Sequence, residues 1–584
     1  MATQTVYFNN PQQFEQVNTN VTGILSSYYN PSFKYGVASG DPLQDRVILW
    51  THCKVDSNDE TLIVRYEVST GSNFATIVSS GETTTDIDKD YTVKVDATGL
   101  QPNQTYYYRF SVTGSNVLGT SYSITSPIGQ TKTLPTGSIS EVKMAVASCT
   151  NYSAGYFHAY REIANSDCDV VLHLGDYIYE YGSTGYATAD SKTLKRFNNP
   201  PHEITTLSDY RKRHAQYKSD ANSKLMHSLK PVIAIWDDHE ITNDAYMTGA
   251  QNHTEGTEGI WSDRVNYALQ AYHEWMPIRT GSDRRKIYRT FNWGNLVNLH
   301  MLDTRLIGRE KQISLVDYAG YAGAGAQIAA ATAYATPTRQ LLGEEQKTWL
   351  FNEMTSNTGT WTVLGQQVIM ARVEFPLTVL ASAAPILAGI ATSPAAIAAA
   401  GAAIATGAND YLTAKYLVSI GAGATLTPAQ SGAYYAPKLG YNLDSWDGYI
   451  YARENVLAKA KELNKNLITL SGDVHNAFYN DLTMKGLAGV TGSTGGTLVG
   501  YEFVTTSVSS PGFEEYLPIG DASVNTLFTQ VPDDVNWIDP SKRGYLKLTF
   551  TPTQVVANWD LLNTVKSTSY TVTAAPTRTV AKTY

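Results

Sequence analysis

Cysteine is scarce in this chain: Cys53, Cys149 and Cys168 are the only three among 584 residues. Three thiols cannot form a disulfide framework, and at least one must stay unpaired. Charge is sparse as well, at 17% Asp, Glu, Lys and Arg against roughly 25% in an ordinary soluble domain. The 44 Lys and Arg fall short of the 53 Asp and Glu, leaving a net charge of −9. A chain with no basic excess is not an electrostatic nucleic-acid binder, so no stable nucleic-acid partner is expected. An anionic substrate must then be met by a local positive source, most simply a metal ion. The opening "MATQTVYFNNPQQFEQ" has neither the basic region nor the apolar core of a secretory signal. The chain carries no charge from Pro376 to Ala408, a stretch that is alanine-dominated and broken by Pro385 and Pro394. That composition favours a buried helical insertion over an interfacial or lid-like segment, and no transmembrane anchor is expected.

What is present divides in two. After a polar leader over residues 1–32, the runs "RVILWTHC", "IVRYEVST" and "TYYYRFSVTG" carry β-branched and aromatic residues between Gly, Asn, Asp and Pro. They predict an antiparallel β-sandwich over residues 33–136. "TGLQPNQTYYYRF" looks like the tyrosine corner of fibronectin type III modules. From residue 137 to 584 the pattern changes to strands alternating with helices: "EVKMAVASC", "GYFHAYREIAN", "DVVLHLGD", "KPVIAIWDDHE", "NLVNLHMLDTR", "TWTVLGQQV" and "KNLITLSGDVH". This is α/β grammar, a layered core of mixed sheets flanked by helices. Ala/Gly-rich insertions near 318–336 and 376–408 interrupt it.

Several of these strands end in residues able to hold a metal: Cys149, Asp176, the Asp237–Asp238–His239 run, and the Asp473 and His475 pair. Ligands collect at the carboxyl ends of strands in open α/β sheets, because side chains converge where the backbone leaves the ladder. Any one of these residues alone reads as structural. Cys149 is a small buried hydrophobe, Asp176 a turn cap, and the histidines satisfied core groups. Their joint occurrence points to a site. Asp176 sits where one carboxylate can bridge two cations about 3.5–4 Å apart. A thiolate and a phenolate beside it suit a trivalent or soft transition metal, while the carboxylates of "WDDHE" and "SGDVH" favour a harder ion.

"GDYIYEYG", "WDDHEITND", "WDGYIYAREN" and "SGDVHNAF" resemble the PhoD-type alkaline phosphatase and phospholipase D family of the metallophosphoesterase superfamily. "YGVASGDPLQDRVILWT" is similar to the opening of that family's N-terminal domain. The resemblance implies a metallophosphoesterase sandwich carrying one Fe3+ and one or two Ca2+. Cys149, Asp176, Tyr179 and His475 would surround the iron, with Asp176 bridging to calcium. Asp238 and Asp473 fall where relatives place an asparagine and a histidine ligand. His239 is placed to bind phosphate or protonate the leaving oxygen, with Glu240 or Asp237 as its orienting partner, and Asn243 to touch calcium or phosphate. Gln366 or Gln367 stands where relatives supply another ligand. Arg305 reaches the phosphate or pairs with an acid, and Tyr177 and Tyr181 pack or line the entrance.

The function expected is metal-dependent hydrolysis of small phosphoesters by attack of a metal-activated water. Phosphomonoesters come first and phosphodiesters second, with phospholipid or nucleic-acid diesters as substrates only. Alternatives are a phospholipase D or extracellular nuclease-type phosphodiesterase and, below them, a non-catalytic metal-braced adhesion module. Low charge and the resemblance favour an extracellular or periplasmic location over a cytoplasmic one.

Overall fold

The computed structural model describes residues 30–55, 60–116, 119–313, 336–387, 393–485, 496–517 and 519–584. The expected leader lies outside the described residues except for its last three, of which Ser32 bridges to Lys54. The insertion near 318–336 lies outside them but for Thr336.

The fold is mixed α/β. A ten-stranded sheet has the parallel strands Val142–Ala147, Val170–His173 and Pro231–Ala234 at its centre. These four- to six-residue runs are buried along nearly their whole length, so they read as unbroken apolar stretches. A seven-stranded sheet carries Val297–Met301, Trp361–Gly365 and Asn466–Ser471 side by side and parallel. Met144, Val146, Leu172 and Ile233 from the first sheet share one core with Leu299, Val363, Ile468 and Leu470 from the second. A second core, containing Leu364, Leu467 and Val504, packs against Leu350 and Met354 of the helix Gly343–Ser356 and Leu457 of the helix Ile450–Glu462.

The N-terminal region builds a five-stranded sheet, whose strand Thr105–Ser115 alternates inward Tyr106, Tyr108, Phe110 and Val112 with outward residues. The Tyr106 hydroxyl accepts the Gln101 amide at 2.8 Å, closing the corner that the tyrosine-rich run suggested. Facing it across a core of Val47, Leu49, Val64 and Phe110 are Val37–Gly40, Arg46–His52 and Thr92–Thr98. Those three strands belong to the ten-stranded sheet. Ser39 and Gly40 pair in parallel with Pro231 and Val232, so the change of pattern at residue 136 does not coincide with a break in the hydrogen-bonded sheet. Both paired strands are buried throughout, and the pairing leaves neither with an open edge.

The uncharged insertion is helical over Leu377–Leu387 and from Pro394 on. Leu377–Leu387 packs with Pro394–Ser419, which starts on a Ser393 cap accepting the Ala396 amide at 3.2 Å, with Pro394 pre-set for the first turn. Its buried residues, Ala400, Gly401, Ile404, Ala408, Tyr411 and Ala414, form one stripe, so the insertion is covered on one side only. No helix among the described residues is long and apolar enough to cross a membrane.

Candidate metal centre

The carboxyl ends of these parallel strands bring the predicted donors together. Donor atoms of Cys149, Asp176 and His475 lie within 4.8 Å of one another, as do those of Asp176, Asp238 and His239, and those of Asp237, Asp238 and Asp473. The three groups overlap through Asp176 and Asp238, so the donors form a continuous chain.

Sharp turns hold them there. Cys149, Asp176, Asp473 and His475 have φ of 59°, 55°, 65° and 63°. The left-handed region costs a non-glycine residue about 1–3 kcal/mol and persists only where surrounding structure enforces it. Enforcement is visible in the backbone: the Cys149 amide donates to the Gly175 carbonyl at 3.1 Å and the Thr150 amide to the Asp176 carbonyl at 2.8 Å. Gly175, at φ 105°, is required by close approach, because a Cβ there would sit 2.4 Å from that of Asp237. The buried Arg213 donates to the carbonyls of Tyr179, Tyr181, Asn199 and Pro200, pinning the loop that follows Asp176.

Tyr179 reaches Asp176 as expected. Its hydroxyl donates to Oδ2 at 2.9 Å, accepts from Ser510 Oγ at 2.7 Å and lies 3.1 Å from His475 Nε2. The His475 Nδ1–H donates to the Pro511 carbonyl at 2.8 Å, which leaves Nε2 as the bare nitrogen facing Tyr179. Burial lowers the His475 pKa to about 3, keeping it neutral as a metal ligand must be. Tyr177 belongs to the core, its hydroxyl 2.9 Å from His227 Nε2, whereas Tyr181 lines the cavity.

That cavity, of about 300 Å3, is walled by Asp176, Asp238, Asp244, Asp444, Asp473, His239, His475, Asn243, Asn442, Tyr181 and Tyr186. Cys149 and Tyr179 are buried and form no part of its wall. Among the described residues no Lys or Arg lines it. Burial, together with the like charges of Asp237 and Asp238, pushes Asp176 and Asp473 well above the usual carboxylate range. Burial also raises Asp237 to about 6 despite Arg305. Burial opposes ionisation of Asp238 too, but Arg305 and His239 hold its pKa at about 2. Asp176 Oδ1, Asp237 Oδ2 and Asp238 Oδ1 are buried without a hydrogen-bond partner. Buried carboxylate oxygens left bare next to a thiol, a phenol and a neutral imidazole are what a metal centre would use, so these residues fit one.

Four residues are placed differently from expectation. His239 is oriented by neither Glu240 nor Asp237: its Nδ1 lies 2.6 Å from Glu180 Oε2. Glu180, itself wholly buried, also accepts the Asn243 amide at 2.8 Å and the Asn252 side-chain amide at 2.9 Å. Burial disfavours the charged His239, yet Glu180, Asp238 and Asp176 raise its pKa well above the ordinary value. Glu240 is spent on the backbone amides of Asp176, Tyr177 and Asp237, and Asp237 pairs with Arg305. Gln366 and Gln367 do not reach the cavity. The amide of Gln367 donates to the Trp236 and Leu302 carbonyls, and that of Gln366 donates to Val368 while its oxygen accepts from Trp446. Asn243 does line the cavity, its side chain donating to Gln251 at 3.0 Å. Glu180 and Asp444 were missed from sequence. The signal for Glu180 was a lone charge inside the otherwise uncharged run "YIYEYG".

A family model for PhoD-like phosphatases matches residues 144–559, and one for their N-terminal domain matches residues 20–135. With these matches, the mixed α/β fold and its strand-end site define a phosphoester hydrolase. Alkaline phosphatase D of Bacillus subtilis (strain 168) is 34% identical over 557 residues, covering 93% of this chain and 79% of the relative. The solved structure of PhoD superposes with a TM-score of 0.72 at 31% identity, over 95% of this chain and 91% of that one. The chain belongs to the PhoD-like phosphatase family, and the reading as a catalytically silent adhesion module falls with that assignment.

Proposed function

We propose that this chain hydrolyses phosphomonoesters and phosphodiesters at the Asp176 cavity, with iron(III) and calcium as resident ions. Cys149, Asp176, Tyr179 and His475 would hold the iron, and Asp176, Asp238 and Asp473 would face one or two calcium ions. The observation that carries this is the set of bare buried oxygens on Asp176, Asp237 and Asp238. When bound, the ions neutralise phosphoryl charge and lower the pKa of water.

The chain's own residues orient the substrate and move a proton. Glu180 takes the Nδ1–H of His239, which turns Nε2 to the cavity as the donor for the departing ester oxygen. Asn243, held by the hydrogen bond its backbone N–H donates to Glu180, would face a bound phosphoryl group from the cavity wall. Diesters are supported separately by the lack of Lys or Arg on the cavity wall among the described residues. With no side-chain cation to clamp the second charge of a monoester dianion, a singly charged diester loses little by comparison. A location outside the cytoplasm is supported by the low charge content.

The test is metal analysis with a visible spectrum. Iron(III) bound by a tyrosinate absorbs in the visible, and Tyr179→Phe removes or shifts that band. An unchanged band would exclude Tyr179 from the centre. Hydrolysis of p-nitrophenyl phosphate and its bis ester, before and after chelation, checks the substrate reading.

A further inference from the structure

Arg305 ends the strand Val297–Met301 region in "LDTR" and is wholly buried under the cavity floor. Its Nε donates to Asp237, Nη1 contacts Asp444 at 2.9 Å, and Nη2 donates to Asp473 at 3.0 Å with Asp238 at 3.6 Å. Arg309, also buried, takes the other side of Asp444 through its side chain and its carbonyl. With its fork committed to three carboxylates, Arg305 is absent from the cavity wall. It pairs with acids, the second of the two roles open to it from sequence.

We propose that Arg305 is a positioning residue, the permanent cation of the aspartate cage, which fixes how many divalent ions the cage accepts. The inference rests on the reading of the cage as a calcium site. A guanidinium cannot lose its proton in a protein, so this charge is present whatever the pH or metal load. Its planar fork sets the angles of Asp237, Asp444 and Asp473, which arrive from three separate parts of the chain. Asp444 follows the short strand Lys438–Gly440, which pairs with Glu374–Pro376 to close the base of the helical insertion. Arg305 therefore also ties that insertion to the strand ends. It divides the labour among the carboxylate oxygens: Asp237, Asp444 and Asp473 each give the guanidinium an oxygen, while Asp176 Oδ1, Asp237 Oδ2 and Asp238 Oδ1 accept no hydrogen bond and are left for metal. Without Arg305, three closely spaced carboxylates, that of Asp237 buried and those of Asp444 and Asp473 partly so, would need protons or another cation, and an all-oxygen cage of that kind suits calcium.

Calorimetric titration of metal-depleted protein with calcium alone tests this, alongside melting temperature in chelator and in calcium. Arg305→Gln is expected to take up one more calcium per chain than the wild type and to melt lower in chelator, with calcium restoring the difference. Arg305→Lys, which keeps a charge, is expected to hold the wild-type stoichiometry. An unchanged or smaller calcium number in Arg305→Gln overturns the proposal. Should that variant not fold, Asp444→Asn decides: wild-type stoichiometry supports the division of labour, and loss of a calcium overturns it. A wild type that binds no calcium at all sinks the calcium reading of the cavity itself, a distinct result.

Discussion

The two ends of the central parallel strands Val142–Ala147, Val170–His173 and Pro231–Ala234 make opposite use of charge. At their amino ends lies the larger cleft, about 690 Å3, lined by Lys132, Lys143, Asp167 and Asp169. There every one of these charges has its partner, Lys132 with Asp169 at 2.6 Å and Lys143 with Asp167 at 2.8 Å. At the carboxyl ends the cavity is less than half that volume, yet it gathers buried carboxylates that each leave one oxygen without a hydrogen bond, and donors in left-handed backbone. Volume does not locate the chemistry of this fold. Unsatisfied buried oxygens and enforced strain mark the proposed site instead, because both are costly and persist only where surrounding structure, and here a proposed metal load, supports them.

The contrast breaks most sharply at Asp176, which belongs to two of the three donor groups. Asp176→Asn is expected to lower kcat/KM by about 10³-fold or more, near 4 kcal/mol of transition-state stabilisation, with loss of bound metal in elemental analysis. Retained activity would move the reaction away from this end of the strands. Glu180→Gln gives the next largest effect and has a selective signature. If Glu180 serves the leaving group through His239, hydrolysis of an alkyl phosphate should fall about 100-fold. p-Nitrophenyl phosphate, whose phenolate departs without a proton, should fall by less than about tenfold. Equal losses on both esters at unchanged metal content would reduce Glu180 to a packing role.

Much of the productive end was legible in sequence because each donor directly follows an apolar run, so the strand and its ligand occupy one short window. Cys149, Asp176, Asp238, Asp473 and His475 were singled out that way, and Tyr179 through the family resemblance. Contacts between windows were not legible. Glu180 meets His239 across 59 residues, and Arg305 meets Asp444 across 139, and nothing local announces either pair. Gln366 and Gln367 fail for a related reason. They stand at the right strand end, but their amide nitrogens are given to the carbonyls of Val368, Trp236 and Leu302 and their oxygens accept from Trp446 and Thr304, so neither is left for a metal. The pairing of Val37–Gly40 with Pro231–Ala234 was hidden in the same way, since two short apolar strands carry no mark of which partner each will take.

Gly175→Ala separates strain from charge at the productive end. The added Cβ would meet Asp237 at 2.4 Å on a backbone already at φ 105°. A loss of about 2–3 kcal/mol of stability in denaturant titration is expected. A neutral result would mean that the approach of the two strand ends is looser than the backbone bonds at Cys149 and Thr150 imply.

Lys132→Met is the smallest change and the control for the opposite end. Lys132 and Asp169 are each about a third exposed, at 32%, so solvent screens their attraction and the pair is worth at most about 0.5 kcal/mol. Activity on p-nitrophenyl phosphate should stay at the wild-type level, with stability shifted by no more than that amount. If this substitution slowed hydrolysis while Gly175→Ala did not, the two ends would have exchanged roles, and paired charge in the larger cleft would be the feature to pursue.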